Sequence, residues 1–323
     1  MPTKSKNSKR DLRIVFMGTP DFAVKGLDVL LNNGYQVVGV ITAPDRPAGR
    51  GHQLNESAVK KYALKNGLTI LQPTNLKDAA FLEQLKSLNA NLFVVVAFRM
   101  LPMAVWQMPE YGTFNLHASL LPQYRGAAPI NWAIINGETE TGVTTFFIDE
   151  KIDTGEIILQ EKTAIGSKET AGELHDRLMQ LGAELIVKTV QLIETDTVQV
   201  IPQSGHGDLK PAPKIDKETC NIDWNADIKA IFNHIRGLSP YPTAWTILVN
   251  GDEEISMKIY EVDMKAIDHD DPVGKVHLEN RAMKVAVKGG FIYLKKVQLQ
   301  GKRMMPIEDV LNGFRASESI CVR

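Results

Sequence analysis

The sequence predicts an α/β domain with a doubly wound, parallel sheet, followed by a small all-β barrel. In the first half, short apolar segments alternate with helical patterns, which is typical of parallel strands covered by helices on both faces. From about Trp245 the pattern changes to short strands separated by turn signals at Asn250-Gly251 and Gly289-Gly290, as in small barrels. The 323 residues also exceed the usual domain length of about 100 to 200 residues, so two domains are expected.

The elements of the first domain follow from apolar periodicity and helix-end signals. Thr19 is predicted as a helix N-cap and Pro20 as the first helical residue, and Thr170 with Glu173 forms a candidate capping box before a long helix. The predicted strands cover residues 13–17, 36–42, 92–98, 113–117, 143–148 and 156–165, and the predicted helices cover 22–31, 57–66 and 76–88, with the long helix last.

The domain boundaries are set by composition. A glycine- and proline-rich stretch reads as an interdomain connection. We therefore expect a basic flexible tail at 1–10, a first domain at 11–203, a linker at 204–213 and a C-terminal domain at 214–323.

Composition excludes several classes of protein. The apolar segment Ile14–Met17 is too short for a signal peptide or a membrane span, which predicts a cytoplasmic protein with no membrane association. Cys220 and Cys321 lie far apart and outside any CxxC pattern, so neither a disulfide framework nor a zinc site is expected. The formal net charge of -1 gives no global attraction to nucleic acid, so RNA binding would need local basic patches.

Three polar residues are candidates for catalysis. Asn115 and His117 lie two apart on a predicted strand, so their side chains share one face at the end of the strand where open α/β sheets bind ligands. Asp153 lies in the loop between two later strands. An amide, an imidazole and a carboxylate suit acyl transfer, because the tetrahedral intermediate needs donors for its oxyanion and the attacking amine must lose a proton.

Each of these residues also has a purely structural interpretation. His117 could be a hydrogen-bonded core histidine, Asn115 a turn former, and Asp153 a residue of an Asp-Thr-Gly turn. The shared strand face of Asn115 and His117 is what favours catalysis.

Four segments closely resemble the methionyl-tRNA formyltransferase family: RIVFMGTPDFAV at 13–24, PDRPAGRGHQL at 44–54, NLHASLLPQYRGAAP at 115–129 and TGVTTFFIDEKIDTGE at 141–156. The resemblance continues through Ile222–Trp224, Ile235–Leu238 and Gly301–Met304 and so covers nearly the whole chain. It implies a Rossmann-like formyltransferase domain joined to an OB-like barrel, acting as a monomer without a metal. The implied reaction moves the formyl group of 10-formyltetrahydrofolate to the amino group of initiator methionyl-tRNA.

The resemblance also implies roles for individual residues. Asn115 and His117 would stabilise the oxyanion, while Asp153 would orient His117 and assist proton transfer. The folate-binding signature is the turn Ser119, Leu120, Leu121 and Pro122, whose free backbone groups could bond a pterin while an apolar wall at 93–96 packs its flat face.

Two departures from the family pattern concern the folate pocket and one turn. The family usually reads Tyr-Gly-Leu-Ile-Leu-Pro after Ala97, whereas this chain has the shorter, charged segment Phe98-Arg-Met-Leu-Pro102. Arg99 is therefore expected to change the pocket wall. Thr243 stands where a glycine is more usual.

Two groups of basic residues are candidates for tRNA binding. Arg46 and Arg50 lie in a glycine- and proline-containing loop, at the place where the family inserts a loop against the acceptor stem, and guanidinium groups can follow phosphates and splayed bases. Lys302 and Arg303 could form a second basic patch on the barrel. The loop could be an ordinary solvated surface loop, but the resemblance favours the tRNA role for it, whereas the barrel residues could equally be solvated charges.

Two other functions compete with this interpretation. Another folate-dependent formyltransferase, acting on glycinamide ribonucleotide or a sugar nucleotide, or a formyltetrahydrofolate hydrolase would share the Asn, His and Asp set, although neither explains the C-terminal domain. A non-catalytic nucleotide- or RNA-binding module is disfavoured because the chain lacks GxGxxG and GxxxxGK[ST] motifs and retains all three polar residues.

Overall fold

The computed structural model describes residues 9–48, 53–203, 207–279, 281–317 and 319–323. The chain forms two compact units, one of residues 1–126, 142–163 and 175–211 and the other of 127–141, 164–174 and 212–323. The elements up to the long helix are β1 (Arg13–Gly18), α1 (Asp21–Asn32), β2 (Gln36–Ile41), β3 (Arg46–Ala48), β4 (Gln53–Asn55), α2 (Ala58–Lys65), β5 (Ile70–Leu71), α3 (Ala79–Ser87), β6 (Leu92–Val96), α4 (Met103–Trp106), β7 (Thr113–His117), α5 (Pro129–Ile135), β8 (Glu140–Phe147), β9 (Ile157–Ala164) and α6 (Ala171–Glu194). The remaining elements are α7 (Ile228–Leu238), β10 (Ala244–Asn250), β11 (Glu253–Ala266), β12 (Val276–Glu279), β13 (Ala282–Val287), β14 (Gly290–Leu299), β15 (Met305–Pro306), α8 (Ile307–Leu311) and β16 (Cys321–Val322).

The first unit contains a seven-stranded sheet in the order β5-β2-β1-β6-β7-β8-β9. The pairs among β5, β2, β1, β6 and β7 are parallel, whereas β8 runs antiparallel to β7. The parallel strands therefore end at one edge of the sheet. Because β8 runs in the opposite direction, the loop that follows β8 begins beside the start of β7.

Helices cover both faces of this sheet. Val15 and Met17 of β1 pack in one apolar cluster with Phe81 of α3. On the opposite face, Gly26 of α1 lies directly against Phe16 of β1, and α6 packs there as well. The predicted doubly wound α/β domain is confirmed.

The second unit contains an antiparallel sheet in the order β12-β13-β14-β11-β10-β16. Its two end strands meet, because the Val322 N–H donates to Gly274 O at 2.8 Å and the Val276 N–H donates to Ile320 O at 3.2 Å. These bonds nearly close the sheet into the predicted barrel. Helix α7 places its apolar side in the barrel core.

Both predicted turns of the barrel join antiparallel strands. Gly251 has φ +63° between β10 and β11, and Gly289 has φ +86° between β13 and β14. Thr243 has φ +82°, a conformation that favours glycine, and its hydroxyl donates to Pro240 O at 2.6 Å.

Two helix-end predictions had different outcomes. The capping box is confirmed, because the Thr170 N–H donates to Glu173 Oε2 at 2.8 Å and the Glu173 N–H donates to Thr170 Oγ1 at 3.3 Å. The prediction for α1 is wrong: Pro20 is the N-cap with extended backbone, no side chain caps the helix, and Asp21 is the first helical residue. Helices α5 and α7 were not predicted.

The first and last described segments of the first unit are tied to its helices and strands. The Arg10 N–H donates to Glu194 O at 2.9 Å and its guanidinium donates to Ile193 O at 2.9 Å, so this residue contacts the end of α6. Ile201 pairs with Ile157 of β9. In the described part of the chain, no helix is long and apolar enough to cross a bilayer.

Candidate active site

Strand β7 carries Asn115 and His117 on the face that points away from α6. Leu116, between them, lies directly against Gly182 of α6. Because side chains alternate along a strand, Asn115 and His117 point to the other side. His117 is buried and Asn115 is half-buried. Within the described residues the Asn115 amide has no hydrogen-bond partner, which leaves its N–H groups available to a ligand.

Asp153 reaches His117 from the loop between β8 and β9. Strand β8 ends at Phe147, beside the start of β7, so the loop must turn back along the sheet. It places Asp153 Oδ2 at 3.7 Å from His117 Nδ1. The Gly126 N–H donates to the same carboxylate oxygen at 3.0 Å, and Asp153 itself has φ +55°. A non-glycine residue in this region is uncommon and points to a loop held by its surroundings.

The His117 ring is oriented by a backbone carbonyl. Its Nε2 lies 2.8 Å from Tyr124 O. A carbonyl can only accept, so Nε2 carries the hydrogen and Nδ1 is the nitrogen that faces Asp153. The 3.7 Å separation between Nδ1 and Asp153 Oδ2 is longer than a direct hydrogen bond, so the role of Asp153 in orienting the ring stays a prediction. The direct hydrogen bond of the ring is the one to Tyr124 O.

The turn at 119–122 is held by bonds within the protein. The Thr144 hydroxyl donates to Ser119 O at 2.6 Å and accepts from the Leu121 N–H at 3.2 Å, while the Gln160 amide donates to Leu121 O at 2.9 Å. The expectation of free backbone groups is wrong for these atoms. Ser119 and Leu121 are buried in the turn, and Leu120 and Pro122 are half-buried.

A cavity of about 570 Å³ opens beyond the end of β6, at the loop that carries Asp153. Its lining combines large apolar side chains with a few polar ones: Thr74, Asn75, Leu76, Lys77, Arg99, Met100, Leu101, Pro102, Met103, Trp106 and Glu150. An apolar cleft of this size with polar groups at its edge is typical of small-molecule sites. Sequence reasoning placed the apolar wall of the folate pocket at Phe93–Val96, and these residues are buried and do not line this cavity.

Arg99 forms part of the cavity wall and holds a neighbouring turn. Its guanidinium donates to Thr74 O at 3.0 Å and also to Pro73 O. Burial, and then the positive charge of Arg46, lower the pKa of Arg99 below its usual value. Arg46 is therefore close enough for its charge to act at this cavity, and the two like charges favour an anionic group nearby.

The structure describes three of the four residues predicted to bind tRNA. Arg46 is exposed at the start of β3, while Arg50 lies outside the described residues. Lys302 and Arg303 are exposed after β14 and form no ion pair with any residue in the described ranges. Within those ranges, no group of three or more His, Cys, Asp or Glu side chains could hold a metal ion.

Comparison with known proteins gives two family matches. Residues 12–190 match the model of formyl transferase, and residues 214–315 match that of the formyl transferase C-terminal domain. The chain is 58% identical over 307 residues to the methionyl-tRNA formyltransferase of Flavobacterium johnsoniae, covering 95% of this chain and 98% of that protein. It is 55% identical over 314 residues to the methionyl-tRNA formyltransferase of Parabacteroides distasonis, covering 95% and 97%.

Solved structures with the same fold are more distant in sequence. WlaRD, a sugar 3N-formyl transferase solved in the presence of dTDP and 5-N-formyl-THF, has a TM-score of 0.64 at 22% identity and covers 91% of this chain and 100% of its own. HypX from Aquifex aeolicus in complex with tetrahydrofolic acid has a TM-score of 0.64 at 16% identity and covers 94% of this chain and 47% of its own.

Proposed function

The chain belongs to the methionyl-tRNA formyltransferase family, and we propose that Asn115, His117 and Asp153 catalyse its reaction. It transfers the formyl group of formyltetrahydrofolate to the amino group of methionyl-tRNA. The observation that carries the site assignment is the 3.7 Å approach of Asp153 to His117, on the strand face that also bears the unpartnered Asn115 amide. Loop and strand converge there although the two titratable residues are far apart in sequence.

The hydrogen bond to Tyr124 determines how His117 acts. Since Nε2–H is committed to a carbonyl at 2.8 Å, Nδ1 is the ring nitrogen that can meet the substrate. To donate to an oxyanion, Nδ1 must carry a proton, which makes the ring an imidazolium. The Asp153 carboxylate faces that nitrogen, so it would stabilise the charged ring by Coulomb attraction rather than by a hydrogen bond.

The chemistry then divides among the three side chains. The lone pair of the methionyl α-amine forms a bond to the formyl carbon, and the carbonyl π pair moves to oxygen. The Asn115 N–H and the protonated His117 Nδ1 donate to that oxyanion. The amine proton passes to Asp153. When the oxyanion collapses, the bond from carbon to N10 of the folate breaks, N10 takes up the proton and tetrahydrofolate leaves.

The donor is 10-formyltetrahydrofolate, and its pterin occupies the cavity beside the Asp153 loop. The walls at Leu101 and Trp106 can pack a flat ring, and Glu150 places a carboxylate at the edge that can accept from pterin N–H groups. The turn at 119–122 acts as a rigid support beside the reacting centre, because its backbone groups are bonded internally.

The acceptor is initiator methionyl-tRNA, bound by Arg46 and Arg50 of the inserted loop and by Lys302 and Arg303 of the barrel. Arg46, Lys302 and Arg303 are exposed, and such cationic groups can neutralise phosphates, while Arg50 is included on its place in the sequence alone. The protein acts as a monomer in the cytoplasm.

The test is formyl transfer by wild type, Asn115→Ala, His117→Ala and Asp153→Asn, with methionyl-tRNA and with glycinamide ribonucleotide as the control acceptor. Wild type should use only methionyl-tRNA. Loss of an oxyanion donor in Asn115→Ala should lower kcat by about 100-fold to 1000-fold, and His117→Ala should lose nearly all turnover while circular dichroism shows a retained fold. Wild-type kinetics in His117→Ala would refute the site, and preference for the ribonucleotide would refute the substrate.

A further inference from the structure

We propose that Gln203 is a positioning residue for the catalytic loop, held in place by Arg125. The proposal rests on the proposed function, in which Asp153 takes part in catalysis. Gln203 precedes the stretch that joins the two units, 50 residues beyond Asp153 in sequence.

The Gln203 amide bridges two carbonyls on either side of Thr154. Its Nε2 donates to Asp153 O at 3.0 Å and to Gly155 O at 2.7 Å. One side chain therefore satisfies the backbone acceptors of the catalytic residue and of the glycine two positions later. These two contacts fix the orientation of the peptide group that follows Asp153 and of the peptide group that follows Gly155.

Arg125 determines which way the Gln203 amide faces. Its Nε and Nη2 both donate to Gln203 Oε1, at 3.1 Å and 2.6 Å. A guanidinium can only donate, so the amide oxygen must point to Arg125 and the amide nitrogen to the loop. The flipped amide would lose all four bonds. Arg125 and Gln203 thus form a chain that ends on the catalytic loop.

The loop needs such support because its conformation is not intrinsically favoured. Asp153 has φ +55°, a left-handed conformation that is uncommon for a non-glycine residue. The loop also turns back from the end of β8 to reach His117. The Asp149 carboxylate closes the start of the loop by accepting from the Lys151 N–H at 3.0 Å and the Thr154 hydroxyl at 2.7 Å. The Gln203 bonds then hold the carbonyls of Asp153 and Gly155, which Asp149 does not reach.

Gly126 connects Arg125 directly to the Asp153 side chain. It follows Arg125 directly and donates to Asp153 Oδ2 at 3.0 Å. Two consecutive residues therefore hold Asp153, one through its carboxylate and one through Gln203 and the backbone. Without Gln203 the carboxylate would keep one bond, but its backbone could rotate and carry it away from His117 Nδ1.

The experiment compares Gln203→Glu and Gln203→Met with wild type in the full-length chain. Gln203→Glu keeps the acceptor for Arg125 but replaces the donor to the loop with a carboxylate, whereas Gln203→Met keeps the length and removes every bond. Displacement of the loop by about 1 Å should lower kcat by about 10-fold to 100-fold. The KM for methionyl-tRNA and for the folate should stay within about twofold, because neither is bound by Gln203.

Asn250→Asp is the matched control. Its amide also donates to a backbone carbonyl, Arg315 O at 2.9 Å, and accepts from a backbone N–H, that of Ser317 at 2.7 Å, in the barrel. The same change of amide to carboxylate should leave kcat at the wild-type value. A merely structural role for Gln203 would lower the melting temperature but not the kcat of the folded enzyme, and that result would overturn the proposal.

Two further variants separate this proposal from the proposed function. Arg125→Lys should lower kcat less than Gln203→Met, and the double variant should equal Gln203→Met alone, because Arg125 acts through Gln203. Additive losses would overturn this chain of contacts. Asp153→Asn with wild-type turnover would remove the premise itself, whereas inactive Asp153→Asn beside fully active Gln203 variants would refute the positioning role alone.

Discussion

Gly155→Ala tests whether the position of the catalytic loop sets the rate. Gly155 is buried, and a Cβ built on it would lie 1.7 Å from Phe147 O, where real Cβ atoms keep at least 3.0 Å. The added methyl group must therefore move the loop or the end of β8 by ~1.3 Å. Because Asp153 lies two residues away, we expect kcat to fall about 100-fold. Overpacking of this kind should also cost about 1–3 kcal/mol of folding free energy.

The assay measures kcat and the melting temperature of Gly155→Ala beside Gly313→Ala. Gly313 is exposed, has no atom within 4 Å of its would-be Cβ and does not have a positive φ, so the same substitution there should change neither quantity. For Gly155→Ala the melting temperature should drop by roughly 2–12 °C. A lower melting temperature with wild-type kcat would refute the link between loop position and turnover. No change in either quantity would refute the close approach to Phe147.

Substitution of two arginines should affect the two substrates separately. Arg50→Ala should raise the KM for methionyl-tRNA without altering folate binding. Arg99→Met should raise the KM for the folate alone, because Arg99 lines the cavity. An unchanged KM for the substrate in question would contradict either assignment. Burial and the hydrogen bond to Asp28 raise the pKa of Tyr62 from 10.0 to about 12, so the bond's contribution to stability is complete below pH 10 and is lost as the pH rises towards 12. The difference in unfolding free energy between wild type and Tyr62→Phe should therefore stay constant up to about pH 10 and shrink from there to about pH 11.5 in urea titrations, and a constant difference over the whole range would be evidence against it.

The elements of the first unit could be predicted because their signals are local. The strand at β7 was predicted with the observed bounds, Thr113–His117, and the capping box of α6 formed as expected. Apolar periodicity reports burial of one face, and burial is what these strands and helices share. Helix α7 was missed although it has a strongly apolar side and an N-cap, Asp227, whose carboxylate accepts from the Lys229 N–H at 2.8 Å.

The cavity of about 570 Å³ was not located from the sequence, for a physical reason. A continuous apolar run such as Phe93–Val96, which was expected to form the wall of the folate pocket, signals burial in a parallel sheet. The residues that line the cavity come after the strand, where Leu101 and Trp106 are spaced irregularly by a turn and a short helix. No simple period marks them in the sequence.

The shared strand face of Asn115 and His117 was predictable from strand alternation, whereas the contacts that orient the His117 ring were not. The carbonyl that orients His117 belongs to the backbone of Tyr124, and any residue type at that position has such a carbonyl. What matters is that Tyr124 has φ +60°, which no motif in one sequence reveals. The roles of Arg46, Arg50, Lys302 and Arg303 in tRNA binding stay predictions.

Gln203 was also not identified from the sequence, and its partners lie far from it along the chain. It lies 78 residues from Arg125 and 50 from Asp153, and its function depends on a side-chain amide whose oxygen and nitrogen meet different partners. The sequence analysis placed Gln203 at the end of the first domain, directly before the linker at 204–213, and gave it no role. The structure instead uses it to hold an Asp in an unfavourable backbone conformation. Candidate catalytic side chains can be recognised by their chemistry, whereas the residues that position them depend on the path of the backbone. The kinetic comparison of Gln203→Glu with Asn250→Asp therefore tests a feature of the site that the sequence alone does not reveal.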